Sequence, residues 1–203
     1  MSRVIVETTP RRTQVVGLLA DLVEYPGDWL PACALAGREI LSRAPGVAPL
    51  LDAFLADLEQ LPHGRIEELY SSAFELDTLS AHEATCYPYV GHHLLGESYR
   101  RSRLMVGLLE RYDENGFEPD RRELPDHLLV MLRFLAHCDD DELAADLVGE
   151  AILPALARMT CDGAASGRSV YLGLLEAVRL ALAHLWPDVE PCTYEPAIEG
   201  GLV

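Results

Sequence analysis

The spacing of apolar residues, which is helical along nearly the whole chain, constrains the fold more than any other feature. Between Thr13 and Tyr25, for instance, apolar side chains recur three or four positions apart and share one broad helix face. No segment shows the strict alternation that is typical of a half-buried β-strand, and no repeat indicates a solenoid. We therefore predict an all-α fold, a single-domain helical bundle of about seven or more helices.

Turn-forming residues divide this pattern into helices. Pro26-Gly27 ends the first helix, and Asn115-Gly116 ends a later one as a C-cap. Pro125 suits the first position of the helix after that. The pattern predicts helices over residues 13–25, 29–41, 47–61, 65–75, 96–114, 125–135, 139–156 and 168–186.

The domain organisation is simple. We expect one domain over residues 1–203, with a folded core over 13–186 and an acidic tail, bearing Pro and Gly, over 187–203. In the helix over 96–114 the apolar residues fall mainly on one stripe. That stripe consists of Tyr99, Ser102, Val106, Leu109 and Tyr112.

The charge balance is strongly acidic. The chain has 33 Asp and Glu residues against 16 basic residues, a net charge of −17 at pH 7, and every basic residue is arginine. Such a chain repels phosphate backbones, so we expect no nucleic-acid partner. The absence of lysine removes the phosphate-binding lysine of P-loop enzymes and Schiff-base chemistry. The acidic surface favours capture of a basic partner.

Three features of the sequence favour a cytoplasmic protein. No apolar run approaches the roughly 18 residues that a membrane helix needs, so we expect no membrane insertion. The N-terminus shows no secretory apolar segment. The odd number of widely spaced cysteines fits reduced thiols. These cysteines are Cys33, Cys86, Cys138, Cys161 and Cys192.

Residues 77–95 break the helical pattern. They are rich in His, Tyr, Pro and Gly, and a non-periodic stretch of this length inside a compact domain is usually functional or disordered. Tyr87, Pro88 and Tyr89 offer apolar bodies with polar tips, which suit the binding of a peptide. For each of these residues taken singly, the alternative interpretation is a packed loop whose tyrosines lie in the core.

Two further groups of residues extend this candidate peptide site. Gly91 and Gly96 permit close backbone approach, and Glu97 lies near a helix start, where it could pair with an arginine of a ligand. The segment 123–128 has two interpretations. It is either a helix start with acidic residues that complement the helix dipole, or the mouth of a groove. In the second interpretation the groove is edged by Glu123, Asp126 and His127.

Two alternatives from other functional classes remain open. His82, Glu83, Cys86, His92 and His93 lie within twelve residues, and zinc or iron accepts such donors, so a metal-dependent enzyme is conceivable. The HExxH spacing is absent, however, and adjacent histidines do not face the same way on a helix. The second alternative is a generic acidic helical adaptor.

Several of these segments resemble a known family. Tyr89–Ser102, YVGHHLLGESYRRS, resembles the central motif of the NarJ/TorD/DmsD chaperones of molybdoenzymes. Glu123–Leu128, ELPDHL, resembles the signature of the NarJ branch. Leu22–Pro26 and Leu69–Phe74 are similar to two further family patterns, so the resemblance spans roughly residues 13–185. The central motif looks closest to chaperones of dimethyl-sulfide and ethylbenzene dehydrogenases and of selenate and chlorate reductases.

The resemblance implies a non-enzymatic, cofactor-free maturation chaperone. Such proteins bind the N-terminal segment, often of the twin-arginine type, or the apo form of a molybdopterin-containing catalytic subunit, and support cofactor insertion before export. For the oligomeric state of this chain, a monomer and a homodimer, including a domain-swapped one, both stay open. We expect Asp126→Ala or Glu97→Ala to weaken binding with little loss of fold. By motif position, the peptide-binding candidates are Tyr87, Pro88, Gly91, Gly96, Glu97, Tyr99, Glu123, Asp126 and His127, with Tyr25 as a weaker one.

Overall fold

A computed structural model describes residues 11–74, 86–120, 122–165 and 170–192 of the chain. Within these ranges the protein is all-α, which confirms the predicted fold class, and none of its helices is long and apolar enough to cross a bilayer. The helices are α1 (Arg12–Leu22), α2 (Leu30–Ile40), α3 (Val47–Gln60), α4 (His63–Phe74), α5 (Val90–Leu95), α6 (Tyr99–Glu114), α7 (Leu128–His137), α8 (Asp141–Leu147), α9 (Leu153–Ala165) and α10 (Val170–Leu185), with a π-helical turn, Val148–Ile152, between α8 and α9.

Local sequence signals set several helix ends. The hydroxyl of Ser98 accepts a hydrogen bond from the backbone N–H of Arg101 at the start of α6, and Asp140 caps α8 in the same way. Gly116, directly after α6, has a φ of 66°, a left-handed conformation that glycine adopts without steric cost. The predicted end of this helix at Asn115-Gly116 is therefore confirmed.

The helices pack around a single hydrophobic core. α10 packs against both α3 and α9, and α1 packs against α7 and α2. Their facing side chains, such as Leu19, Met131 and Leu175, are excluded from water, and this burial is the main stabilising term of the fold. Arg133 on α7 also pairs with Asp21 of α1, at 2.6 Å between nitrogen and oxygen.

Three local predictions differ from the structure. α7 begins at Leu128 and not at Pro125, because His127 caps the helix and the preceding residues form a turn. The segment 77–95 was predicted to lack helical character, but its last six residues form α5. The long helix predicted over 139–156 is interrupted by the π-helical turn before Pro154 and then continues to Ala165.

The apolar stripe of α6 lies mostly on the outside. Tyr112 is buried, but Tyr99, Val106 and Leu109 are 80%, 56% and 46% exposed. The helix instead packs through a face that carries Arg101, Leu108 and Tyr112. Burial of an arginine on that face requires a partner for its charge, and the candidate site supplies it.

Candidate functional site

The two motif segments, far apart in sequence, lie side by side. Tyr89 and His127 form an isolated antiparallel β-bridge. The backbone N–H of Val90 donates to the carbonyl oxygen of Asp126 at 2.8 Å, and the N–H of Leu128 donates to the carbonyl oxygen of Pro88 at 2.7 Å. These bonds fix the entry to α5 against the entry to α7, so the residues of both motifs form one continuous region.

A buried ion pair lies beneath this junction. Nε of Arg101 donates to Oδ2 of Asp126 at 2.8 Å, and the two side chains are 8% and 0% exposed. The neighbouring phenol of Tyr112 donates to the carbonyl oxygen of Pro125 at 2.8 Å. Asp126 was predicted to line the mouth of a groove. The structure corrects that prediction, because the carboxylate is inaccessible to a ligand and neutralises Arg101 instead.

Gly91 and Pro88 belong to the same closed layer. A Cβ atom on Gly91 would lie 2.6 Å from Oδ2 of Asp126 and 3.1 Å from Cγ of Arg101, so the α5 backbone rests directly on the ion pair. Pro88 is buried as well. Gly91 was predicted to permit close backbone approach in a peptide site, and in the structure its backbone lies against the protein's own ion pair.

Two glutamates remain at the surface of this region. The side chain of Glu97 is 76% exposed and accepts hydrogen bonds through Oε1 from Arg101 and from Nδ1 of His92, the latter at 3.2 Å. The hydrogen bond from His92 and the charge of Arg101 lower the pKa of Glu97. Glu123, 40% exposed, accepts the phenol hydrogen of Tyr89 at 3.4 Å through Oε2. Within the described part of the chain, the second oxygen of each carboxylate has no hydrogen-bond partner.

His127 connects the surface glutamate to the helix start. Its Nδ1 accepts the N–H of Leu129 at 3.2 Å as the N-cap of α7, and its Nε2 lies 3.8 Å from Glu123. The imidazole packs edge-on against the ring of Tyr89, with 5.3 Å between centroids. Burial lowers the pKa of His127, although Glu123 and Asp126 act in the opposite direction. A neutral ring is what the cap requires, since a protonated Nδ1 cannot accept a hydrogen bond.

The aromatic residues of the site differ in exposure. Tyr87 is half-buried and its ring packs on that of His92, with 4.7 Å between centroids. Tyr99 begins α6 and is almost fully exposed. Gly96, with a φ of 61°, separates α5 from the turn that carries Glu97. Tyr25 is partly exposed and packs edge-on against Tyr70 on α4, an aromatic contact that involves neither motif segment.

The structure also contains a large groove that none of the predicted site residues lines. It has a volume of about 1290 Å³ and lies between α3, α9 and α10. Its walls are mainly apolar, including Leu50, Phe54 and Leu172. Its charged lining residues are Asp57, Glu176 and Arg179, and the last two form an ion pair. α9 contacts both regions, since its Arg158 donates to the carbonyl oxygen of His93 while its Ala157 lines the groove.

The metal-site alternative gains no support from the described residues. In the described ranges, no three His, Cys, Asp or Glu side chains are grouped so that they could hold a metal ion. His92 instead contacts Glu97, and Nε2 of His93 lies 2.7 Å from the carbonyl oxygen of Tyr87. His82 and Glu83 lie outside the described residues.

Sequence reasoning missed Arg101 and the groove. Arg101 follows Glu97 by four positions, the spacing of a helical ion pair, and that signal was present in the motif. The groove carries no such signal, because its walls come from helices that are distant in sequence.

Comparison with solved structures defines the class of fold. The chain superposes on the crystal structure of an Archaeoglobus fulgidus protein assigned to redox enzyme maturation, with a TM-score of 0.57 and 19% sequence identity. The match covers 87% of this chain and 97% of that protein. The helical fold described above is therefore the same fold as that of this solved protein.

The sequence places the chain in a particular family within that class. The family model described as nitrate reductase delta subunit matches residues 42–159, more than half of the chain. This protein therefore belongs to the nitrate reductase delta subunit family. The resemblance to the NarJ-containing chaperone family that the two motifs indicated is confirmed.

Curated relatives come from Escherichia coli. NarW of strain K12, named as a probable nitrate reductase molybdenum cofactor assembly chaperone, is 29% identical over 143 residues, 70% of this chain and 58% of that protein. NarJ of the same strain, a nitrate reductase molybdenum cofactor assembly chaperone, is 32% identical over 113 residues, 56% of this chain and 44% of that protein. The chain thus spans about half the length of the curated relatives that it matches.

Proposed function

We propose that this protein is a cytoplasmic assembly chaperone, without catalytic activity, for a molybdopterin-containing oxidoreductase. It binds the N-terminal, twin-arginine-type segment of the catalytic subunit and supports cofactor insertion before export. The client is an enzyme of the dimethyl-sulfide or ethylbenzene dehydrogenase or the selenate or chlorate reductase type. The nitrate reductase chaperones among the relatives support the general role, and the central motif YVGHHLLGESYRR supports the choice of client.

One observation carries the proposal. The buried Arg101–Asp126 pair holds the two family motifs together, and this leaves the carboxylates of Glu97 and Glu123 at the surface of one region. Each carboxylate keeps one oxygen without a partner among the described residues. Carboxylates accept paired hydrogen bonds from guanidinium groups, so this region suits a segment that contains two arginines.

The remaining candidates divide into contacting and positioning residues. Tyr99 and Tyr87, together with Glu97 and Glu123, contact the segment, because they are at least partly accessible. Gly96 lets the chain turn between α5 and Glu97. The less accessible candidates support this surface from below, and these are Pro88, Gly91, Asp126 and His127.

The apolar part of the same segment occupies the groove between α3, α9 and α10. A twin-arginine segment is cationic first and apolar afterwards, and the groove offers apolar walls of matching chemistry. Its volume is above the roughly 300–1,000 Å³ that is usual for small-molecule pockets, which favours a peptide as the occupant. α9 contacts both the site and the groove, and the client segment extends from one to the other.

Calorimetry tests the proposal. The titrant is a peptide from the N-terminus of the molybdopterin-containing subunit encoded beside this protein, and the matched control is the same peptide with both arginines replaced by glutamine. We expect saturable binding of the native peptide, weaker at high salt, and at least tenfold weaker binding of the control. If neither the peptide nor the whole apo-subunit binds, the proposed function is wrong.

A further inference from the structure

The outward face of α6 is an apolar surface that the described part of the protein leaves uncovered. Tyr99, Val106 and Leu109 are exposed along the helix, while its opposite face is packed. Three large apolar side chains on one helix face, at spacings of seven and three residues, match the seam of a two-helix packing. An exposed, contiguous apolar stripe of this kind indicates an interaction surface.

The charges along α6 are segregated by position. The exposed charges of the N-terminal half are Arg100 and Arg103, whereas the C-terminal half carries Glu110, Asp113 and Glu114, with Arg111 paired to Glu114 within the helix. Arg103 and Glu110 are exposed on the same side as Val106, and neither has an ion-pair partner among the residues that the structure describes. In a protein with a net charge of −17, a basic half-helix is an unusual local feature.

This pattern is complementary to itself in the antiparallel direction. If two copies of α6 pack with a two-fold axis between Val106 and Gly107, Arg103 of each copy lies level with Glu110 of the other. The two Val106 side chains then meet at the centre, and each basic half-helix faces an acidic one. A parallel arrangement would place like charges together, which is unfavourable.

We propose that the outward face of α6 is a self-association surface, on which a second copy of this chain packs its own α6 in the antiparallel direction. The contact is isologous, since the same surface is used by both copies. A helix of 16 residues is about 24 Å long, and a single helix pair buries less than the roughly 800 Å² per partner of a standard interface. The dimer is therefore weak and forms in a concentration-dependent way.

Sedimentation equilibrium of the full chain, over a wide range of concentrations, tests the proposal. We expect the average mass to rise from 22.4 kDa towards twice that value, and to rise less at high salt. Val106→Glu should abolish the rise. The matched control is Leu35→Glu on α2, because Leu35 is about as exposed as Val106. This variant should leave the mass profile unchanged. A wild-type protein that stays monomeric throughout would overturn the proposal.

Charge reversal tests the antiparallel direction. Arg103→Glu and Glu110→Arg should each weaken self-association at least tenfold, because each places like charges opposite one another. The double variant, and an equimolar mixture of the two single variants, should restore it, since both recreate opposite charges at each level. Failure of both restorations would overturn the antiparallel arrangement. If Val106→Glu left the dimer intact but abolished client binding, the face would belong to the client and the proposal would be wrong.

Discussion

Nε of Arg101, on the first turn of α6, lies 2.8 Å from Oδ2 of Asp126, which precedes α7 by two residues. Both side chains are shielded from water, and the pair joins the two motif segments of the protein. The Asp126 carboxylate that sequence reasoning assigned to ligand contact is thus a structural element of the site. This relationship changes what a mutation at that position is expected to do.

Removing Asp126 should destabilise the protein. Asp126→Ala leaves the Arg101 guanidinium buried without its main counter-charge, and such a loss costs about 3 kcal/mol. Urea unfolding followed by circular dichroism gives the free energy of unfolding. The control is Asp52→Ala, which breaks the exposed ion pair with Arg38 and should have a far smaller effect. Equal effects of the two variants would show that the Arg101–Asp126 pair is not buried as described.

Gly91→Ala should strain the ion pair between Arg101 and Asp126. The new Cβ would lie 2.6 Å from Oδ2 of Asp126, so the ion pair or α5 must shift, and we expect a loss of about 1–3 kcal/mol in the free energy of unfolding. Gly107→Ala is the matched control on α6, because its Cβ would meet nothing within 4 Å. That variant should be neutral or slightly stabilised, as helical glycines usually are when replaced by alanine. Equal stability of both variants contradicts the close packing at Gly91.

Lowering the pH should decrease the free energy of unfolding because of His127. Its pKa in the folded state is lowered by burial, so the unfolded chain takes up the proton first, and this contribution to stability is lost as the pH falls below about 6.5. His127→Asn keeps a capping side chain but removes the titrating ring. We expect the free energy of unfolding of the variant to fall less than that of the wild type between pH 7.5 and pH 5.5, as measured by urea unfolding. Parallel pH dependences would contradict a neutral, buried His127.

The surface glutamates should control affinity without affecting the fold. Glu97→Gln and Glu123→Gln each remove one negative charge from the proposed contact with the client's arginines. We expect each variant to bind the client peptide roughly three to ten times more weakly in calorimetry, with an unchanged circular dichroism spectrum. Glu39→Gln, an exposed position on α2, removes the same charge elsewhere and should leave the dissociation constant unchanged. Losses of equal size in all three variants would indicate a general effect of net charge.

Filling the groove should block the apolar part of the client. Gly173 lines the groove on α10, and a Cβ there would meet nothing within 4 Å, so Gly173→Leu projects a side chain into the open space. We expect at least tenfold weaker binding of the client peptide with no loss of stability. Gly64→Leu on α4 is the matched control, because that position is equally open and lies outside the groove. Unchanged binding by Gly173→Leu would remove the groove from the proposed contact surface.

The surface of the site shows why its parts were predictable to different degrees. Glu97 and Tyr99 follow a helix-breaking glycine, and their exposure agrees with their polar, terminal positions in the sequence. Asp126 occurs in an equally polar sequence context, yet it is fully buried, because Arg101 reaches it from a helix 25 positions earlier. No local pattern encodes that contact.

Sequence alone determined the all-α class, most helix boundaries and the family, because helical periodicity, caps and motif residues are local properties of the chain. Only the tertiary structure decided which polar motif residues reach the solvent and which face of α6 remains uncovered. It also decided that α3, α9 and α10 enclose a groove. These features depend on distances between residues that are remote in sequence, and apolar spacing within one helix does not specify which neighbour covers each face.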